Sequence, residues 1–135
     1  MIAIIINAHK NEKQVQRLIN RLTYKEIDIY IHADKKFAVD TFENAKMLQK
    51  RYNITWGDES IINCIVDSLR EIHNKKYSHY ILISGQDYPI VSPKTIVHFL
   101  SKNKEKEFLQ YKKIGNKKDE CKKSYRISYH RKQSA

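Results

Sequence analysis

Glycine, proline and cysteine are all scarce in this chain, at three, two and two of 135 residues. So few glycines and prolines leave no Gly-, Ser- or Pro-rich linker, and the chain reads as one domain's worth of sequence. The phosphate-binding glycine signatures are missing as well. No G-x-G-x-x-G follows the first apolar run, and no G-x-x-x-x-G-K-[ST] occurs, which argues against dinucleotide oxidoreductases and P-loop nucleotide hydrolases. No G-x-S-x-G elbow is present for a hydrolase. Cys64 and Cys121 lie far apart, match no metal spacing and do not form a disulfide framework. A reduced, cytoplasmic setting is expected, with Cys64 a small core residue. No apolar run approaches the roughly 20 residues that span a bilayer. The opening Met1–Ile6 run has no basic flank and no cleavage site, so it reads as a buried strand rather than a signal peptide.

Charge is plentiful but unevenly placed. The net charge is +11. Residues 1–111 carry 17 Lys and Arg against 13 Asp and Glu, whereas residues 112–135 carry nine against two. The expected organisation is therefore an α/β domain over 1–111 and a basic C-terminal segment over 112–135. Such a segment either is a solvated end or meets anionic glycan, lipid or nucleic acid, and charge alone does not choose between these.

Hydrophobic periodicity alternates between two kinds. Ile2–Ile6 is a continuous, largely β-branched apolar run, as expected of a strand covered on both faces, and Ile27–Ile31 reads as a second strand. Val15, Leu18, Ile19 and Leu22 follow the i, i+3, i+4, i+7 pattern of an amphipathic helix. A weaker helix is expected over about 38–50, from Val39, Phe42, Ala45, Met47 and Leu48. A short apolar stretch, Tyr52–Thr55, supplies the next strand, and Ile61, Ile62, Ile65, Val66, Leu69 and Ile72 predict a helix from about Glu59 to His73. Tyr80–Ser84 is a further strand. Ser92-Pro93 then supplies an N-cap hydroxyl and a first-turn proline for another helix. A last strand is expected at Glu107–Tyr111. The resulting β-α-β-α-β-α-β-α-β order implies an α/β fold with a mostly parallel sheet and helices on both faces.

In such a sheet ligands bind beyond the carboxyl ends of the strands. That rule selects Asn7–Asn11, His32–Lys36, Trp56–Ser60 and Ser84–Tyr88. Asp34 could cap the next helix or hold ribose hydroxyls. His9 and His32 could be hydrogen-bonded loop residues or catalytic ones. Lys35 and Lys36 could be solvated or face a diphosphate. Trp56, beside Gly57, could anchor the core or wall a pocket.

Four blocks, Ile5-Ile-Asn-Ala-His-Lys10, Ile29-Tyr-Ile-His-Ala-Asp-Lys-Lys36, Arg51-Tyr-Asn-Ile-Thr-Trp-Gly57 and Leu82-Ile-Ser-Gly-Gln-Asp-Tyr-Pro-Ile90, resemble in order and spacing the core-2/I-branching family. Arg126–His130 extends the resemblance almost to the end of the chain. The family holds β-1,6-N-acetylglucosaminyltransferases and peptide O-xylosyltransferases. The resemblance implies a GT-A-type Rossmann-like domain, truncated relative to the family, that binds a UDP-sugar and passes GlcNAc or xylose to a glycan or protein hydroxyl with inversion. It places Ala8, His9, Lys10, Asp34, Lys35, Trp56, Gly57, Ser84, Gly85, Gln86 and Asp87 at the nucleotide-sugar. It also implies metal-independent transfer and no cofactor beyond the donor, and the Asp-x-Asp metal motif of many glycosyltransferases is absent. Family members run to about twice this length, and the resemblance puts their catalytic Glu and diphosphate-gripping basic pair beyond this chain. Asp87 and Glu59 are the weak stand-ins for that base within it. The resemblance further suggests peripheral contact with the inner membrane face in an enzyme that builds bacterial surface glycan. The other reading is a non-catalytic binding module acting through its basic tail.

Overall fold

The computed structural model describes residues 1–55 and 57–109. Met1–Lys104 form one compact unit, and the described residues beyond it belong to a second. The first unit contains β1 (Ile2–Ala8), α1 (Glu12–Leu22), β2 (Ile27–Ala33), β3 (Lys46–Met47), α2 (Ser60–Ile72), β4 (His79–Ser84) and α3 (Pro93–Ser101). The sheet runs in the order β3-β2-β1-β4, and all its pairings are parallel. Ile6 of β1 stands between Ile31 of β2 and Ile83 of β4, so the loops after Ala8, Ala33 and Ser84 emerge together at one end.

The run Ile2–Ile6 of β1 is unbroken and apolar because both of its faces are covered. On one face Ile2, Ile4, Ile6, Ile27, Ile29 and Ile31 meet Val15, Leu18, Ile19 and Leu22 of α1 and Leu100 of α3. On the other, Ala3, Ile5 and Tyr30 meet Ile72 of α2. Helices thus lie on both faces, as the alternating pattern requires. Burying each Ile or Leu of this core stabilises the fold by roughly 1.5–3 kcal/mol. Asn11 caps α1, its side chain accepting Gln14 N at 3.2 Å from a left-handed backbone with φ 57°. Ser92 caps α3 through Thr95 N, with Pro93 in the first turn as expected.

Three expected elements differ, the first being the short stretch at 52–55, which forms no strand. No helix forms over 38–50. That segment is irregular and ends in the two-residue strand β3, which pairs Lys46 and Met47 with Tyr30 and Ile31. Val39, Thr41, Asp40 and Asn44 are weak helix formers, and the backbone polar groups find other partners. Arg51 takes the carbonyls of Phe37 and Val39, Gln16 brackets Glu43 through both N–H and C=O, and Asn44 turns at φ 58°. Val39, Phe42 and Leu48 are still buried, so the apolar signal was sound and its helical reading was not. Of the strand expected at Glu107–Tyr111, residues 107–109 are not in a strand, and residues 110 and 111 lie outside the described residues. Among the described residues no helix is long and apolar enough to cross a membrane.

Candidate functional site

The order of the strands reverses between β1 and β4, the place in an open α/β sheet where ligands bind beyond the strands' carboxyl ends. A cleft of about 520 Å³ occupies this end, lined by Asn7, Ala8, His9, His32, Asp34, Lys36, Ile54, Ile61 and Ser84. Three strand ends and the start of α2 contribute to it, with the segment following β3 supplying Ile54.

The segment is fastened to the end of β2 by polar contacts. Asp34 is 3% exposed, and its carboxylate accepts Lys36 N at 2.8 Å through Oδ1 and Ile54 N at 3.0 Å through Oδ2. Tyr52 N donates to His32 Nε2 at 3.2 Å, and Lys35 N donates to Tyr52 O at 2.9 Å. Accepting at Nε2 fixes the neutral tautomer with the proton on Nδ1. Burial holds the His32 imidazole below its ordinary pKa, with Arg51 adding to this while Asp34, its own backbone and Glu71 oppose it. The Tyr52 ring lies 6.0 Å from the His32 ring, and its hydroxyl and Lys50 Nζ both bond Asp67 on α2. Lys50 and then Tyr52 hold the Asp67 carboxyl far below the usual carboxylate range.

Lys36 is the cation at the cleft wall. Its Nζ donates to Ile54 O at 2.8 Å and lies 3.9 Å from Asp34 Oδ2. On the β4 side the chain turns tightly. Gly85 N donates to Asn7 O at 2.8 Å, Ser84 Oγ accepts Gln86 N at 3.1 Å, and Asp87 Oδ2 accepts Ser84 N at 2.7 Å. Gly85 is required there by close approach, since a Cβ would meet Val15 Cγ2 at 3.0 Å and the Ala8 Cα at 3.4 Å. Asn7 Oδ1 takes the Cys64 thiol at 3.5 Å, and burial pushes that thiol's pKa up to about 11.

Of the residues expected at the site, Ala8, His9, Asp34 and Ser84 line the cleft. Gly85 is buried behind it, while Lys10, Lys35, Gln86 and Asp87 are exposed outside its lining. Gly57 is exposed with φ +83°, Glu59 is the exposed N-cap of α2 without a side-chain capping bond, and Trp56 lies outside the described residues. The basic segment 112–135 also lies outside them. Asn7 belongs to a segment selected from sequence, whereas Ile54, Ile61 and Arg51 were not singled out there as site residues. Ile61 reads there as ordinary helix core, and no sequence signal shows that Arg51 would bind backbone. Among the described residues no group of three His, Cys, Asp or Glu is placed to hold a metal ion.

A parallel sheet flanked on both faces by helices, with a cleft at the carboxyl ends of its strands, defines a Rossmann-like α/β domain. The chain belongs to the core-2/I-branching enzyme family, whose model matches residues 2–134. It is 28% identical over 110 residues to xylosyltransferase 2 of Mus musculus, covering 73% of this chain and 13% of that protein. It is 27% identical to human xylosyltransferase 2 over the same shares. With xylosyltransferase 1 of Rattus norvegicus it is 26% identical over 122 residues, 81% of this chain and 15% of the other. The match thus spans about one seventh of the curated relatives' length.

Proposed function

We propose that this chain is the donor-binding part of a glycosyltransferase, holding a UDP-sugar in the cleft between the ends of β1, β2 and β4. The observation that carries this reading is the cleft's composition at the sheet's switch point: a buried carboxylate, a lysine ammonium and strand-end backbone around a floor of Ile54 and Ile61. An apolar floor suits a flat base, and a cation suits a diphosphate. The relatives' names favour xylose as the sugar transferred, with GlcNAc the alternative within the family.

The chemistry sets what such a site must provide. UDP develops negative charge as it leaves, so a cation and oriented donors lower the barrier. Lys36 would supply that cation from this chain, a reading that favours transfer without a metal. The acceptor hydroxyl of a glycan or protein must lose its proton as it attacks from the opposite face, giving inversion. Asp34 is the one carboxylate among the described lining residues, and it is committed to two backbone amides. It is therefore a scaffold for the cleft and not the base, and we assign no base to this chain. Titrating UDP, UDP-xylose and UDP-GlcNAc against the folded 135-residue chain by calorimetry tests the reading. Saturable binding with a UDP-xylose preference is expected, and absence of binding to any of the three refutes it.

A further inference from the structure

Arg51 makes none of the cleft's surface, yet it organises the loop that does. Its Nε donates to Ala33 O at 3.0 Å, Nη2 to Asp34 O at 2.7 Å and Phe37 O at 2.5 Å, and Nη1 to Val39 O at 3.5 Å. In return the Asp34 carboxylate accepts Ile54 N, and Tyr52 O accepts Lys35 N. The end of β2 with residues 34–39 and segment 51–54 therefore each satisfy the other's polar groups, and neither 35–39 nor 51–54 lies in a regular ladder. Lys36 stands where they meet, with its ammonium on Ile54 O and beside Asp34 Oδ2. Its side chain is 62% exposed, so only this junction distinguishes it from a solvated surface lysine.

We propose that Arg51 is a positioning residue. By gathering the carbonyls of residues 33–39 it fixes the Lys36 ammonium at the cleft, and through Lys36 it sets affinity for the phosphate part of a nucleotide ligand. The inference rests on the donor-site reading above. A guanidinium suits the task because its planar fork reaches several carbonyls in fixed directions, which the single ammonium of lysine cannot reproduce. Without the brace, Lys36 must be ordered each time a ligand binds, and that entropy is lost from the affinity.

The test is a double-mutant cycle in the full chain, reading the Kd of UDP and of uridine by calorimetry for Arg51→Met, Lys36→Met and the pair. Arg51→Met is expected to weaken UDP about tenfold, the loss of one charge-assisted contact, and uridine by less than about threefold. The double variant should bind UDP no more weakly than Lys36→Met alone, and Arg51→Lys should remain impaired. Equal losses for UDP and uridine, or additive losses in the pair, overturn the proposal. Should Arg51→Met not fold, Arg51→Lys carries the same comparison. If the wild-type chain binds neither ligand, the donor-site reading has failed, and amide hydrogen exchange decides the brace. The amides of Lys36 and Ile54 should then exchange faster in Arg51→Lys while those of β1 and β2 do not, and unchanged exchange at Lys36 and Ile54 overturns it.

Discussion

Replacing Asp34 with alanine should damage the fold as well as the cleft. The carboxylate is 3% exposed and receives two amide protons, from Lys36 at 2.8 Å and from Ile54 at 3.0 Å. Removing it strands both donors, at a cost of about 1–3 kcal/mol each. The sum, about 2–6 kcal/mol, is a large fraction of the roughly 5–15 kcal/mol that holds a domain of this size together. Each kcal/mol lowers the melting temperature by about 4–8 °C in a domain near 100 residues, so a fall of at least about 8 °C is expected. Asp34→Asn retains one acceptor oxygen and should lose about half as much. Thermal and urea unfolding followed by circular dichroism measure both variants. If Asp34→Ala unfolds within about 0.5 kcal/mol of wild type, the ordinary range for a surface change, the carboxylate does not tie residues 52–54 to β2. UDP affinity should fall in the same variant, so the nucleotide titration has to be made well below its lowered midpoint.

Other consequences concern separate contacts. Gly85→Ala puts a methyl 3.0 Å from Val15 Cγ2 and should cost about 1–3 kcal/mol in urea unfolding, relieved in part by Val15→Ala. His32 has its pKa depressed by burial, so the unfolded chain binds its proton more readily. Its contribution is complete above the unfolded value near about 6.5 and is lost as pH falls below it, by at most about 1.4 kcal/mol per pH unit. His32→Gln should flatten the stability profile between about pH 6.5 and 5, and an unaltered slope would exclude His32 as its source. Cys64, with its thiol pKa raised to about 11, should resist a maleimide in the native Cys121→Ser variant and react on unfolding. Rapid native labelling would contradict the buried placement.

Much of the fold was legible because its signals were redundant. The Ile2–Ile6 run and the β-branched Ile27–Ile31 stretch both read as strands, and the Val15–Leu22 stripe fixed both the helix and its inward face. The region between β2 and α2 was not legible. Phe42, Ala45 and Leu48 imitate a helical spacing, but the conformation there depends on where the Arg51 guanidinium lands, a contact spanning up to 18 residues that no local pattern encodes. The same difference runs through the cleft. Ala8, His9, Asp34 and Ser84 follow from the rule that parallel sheets bind ligands at their carboxyl ends. Ile61 does not, because a helix residue at the cleft floor looks the same in sequence as one in the core. Asp34 shows the limit well. Its position was readable, whereas its commitment to the amides of Lys36 and Ile54 appears only once residues 52–54 are seen to return to it.

The most direct test of the account is to map UDP onto the chain's backbone amides by two-dimensional NMR. Saturable shifts should gather on Ala8, His9, Lys36, Ile54 and Ser84, with the opposite end of the sheet at Ile2, Ile27 and His79 unmoved. Shifts confined to any other surface, or none at saturating UDP, would contradict a nucleotide site at the strands' carboxyl ends.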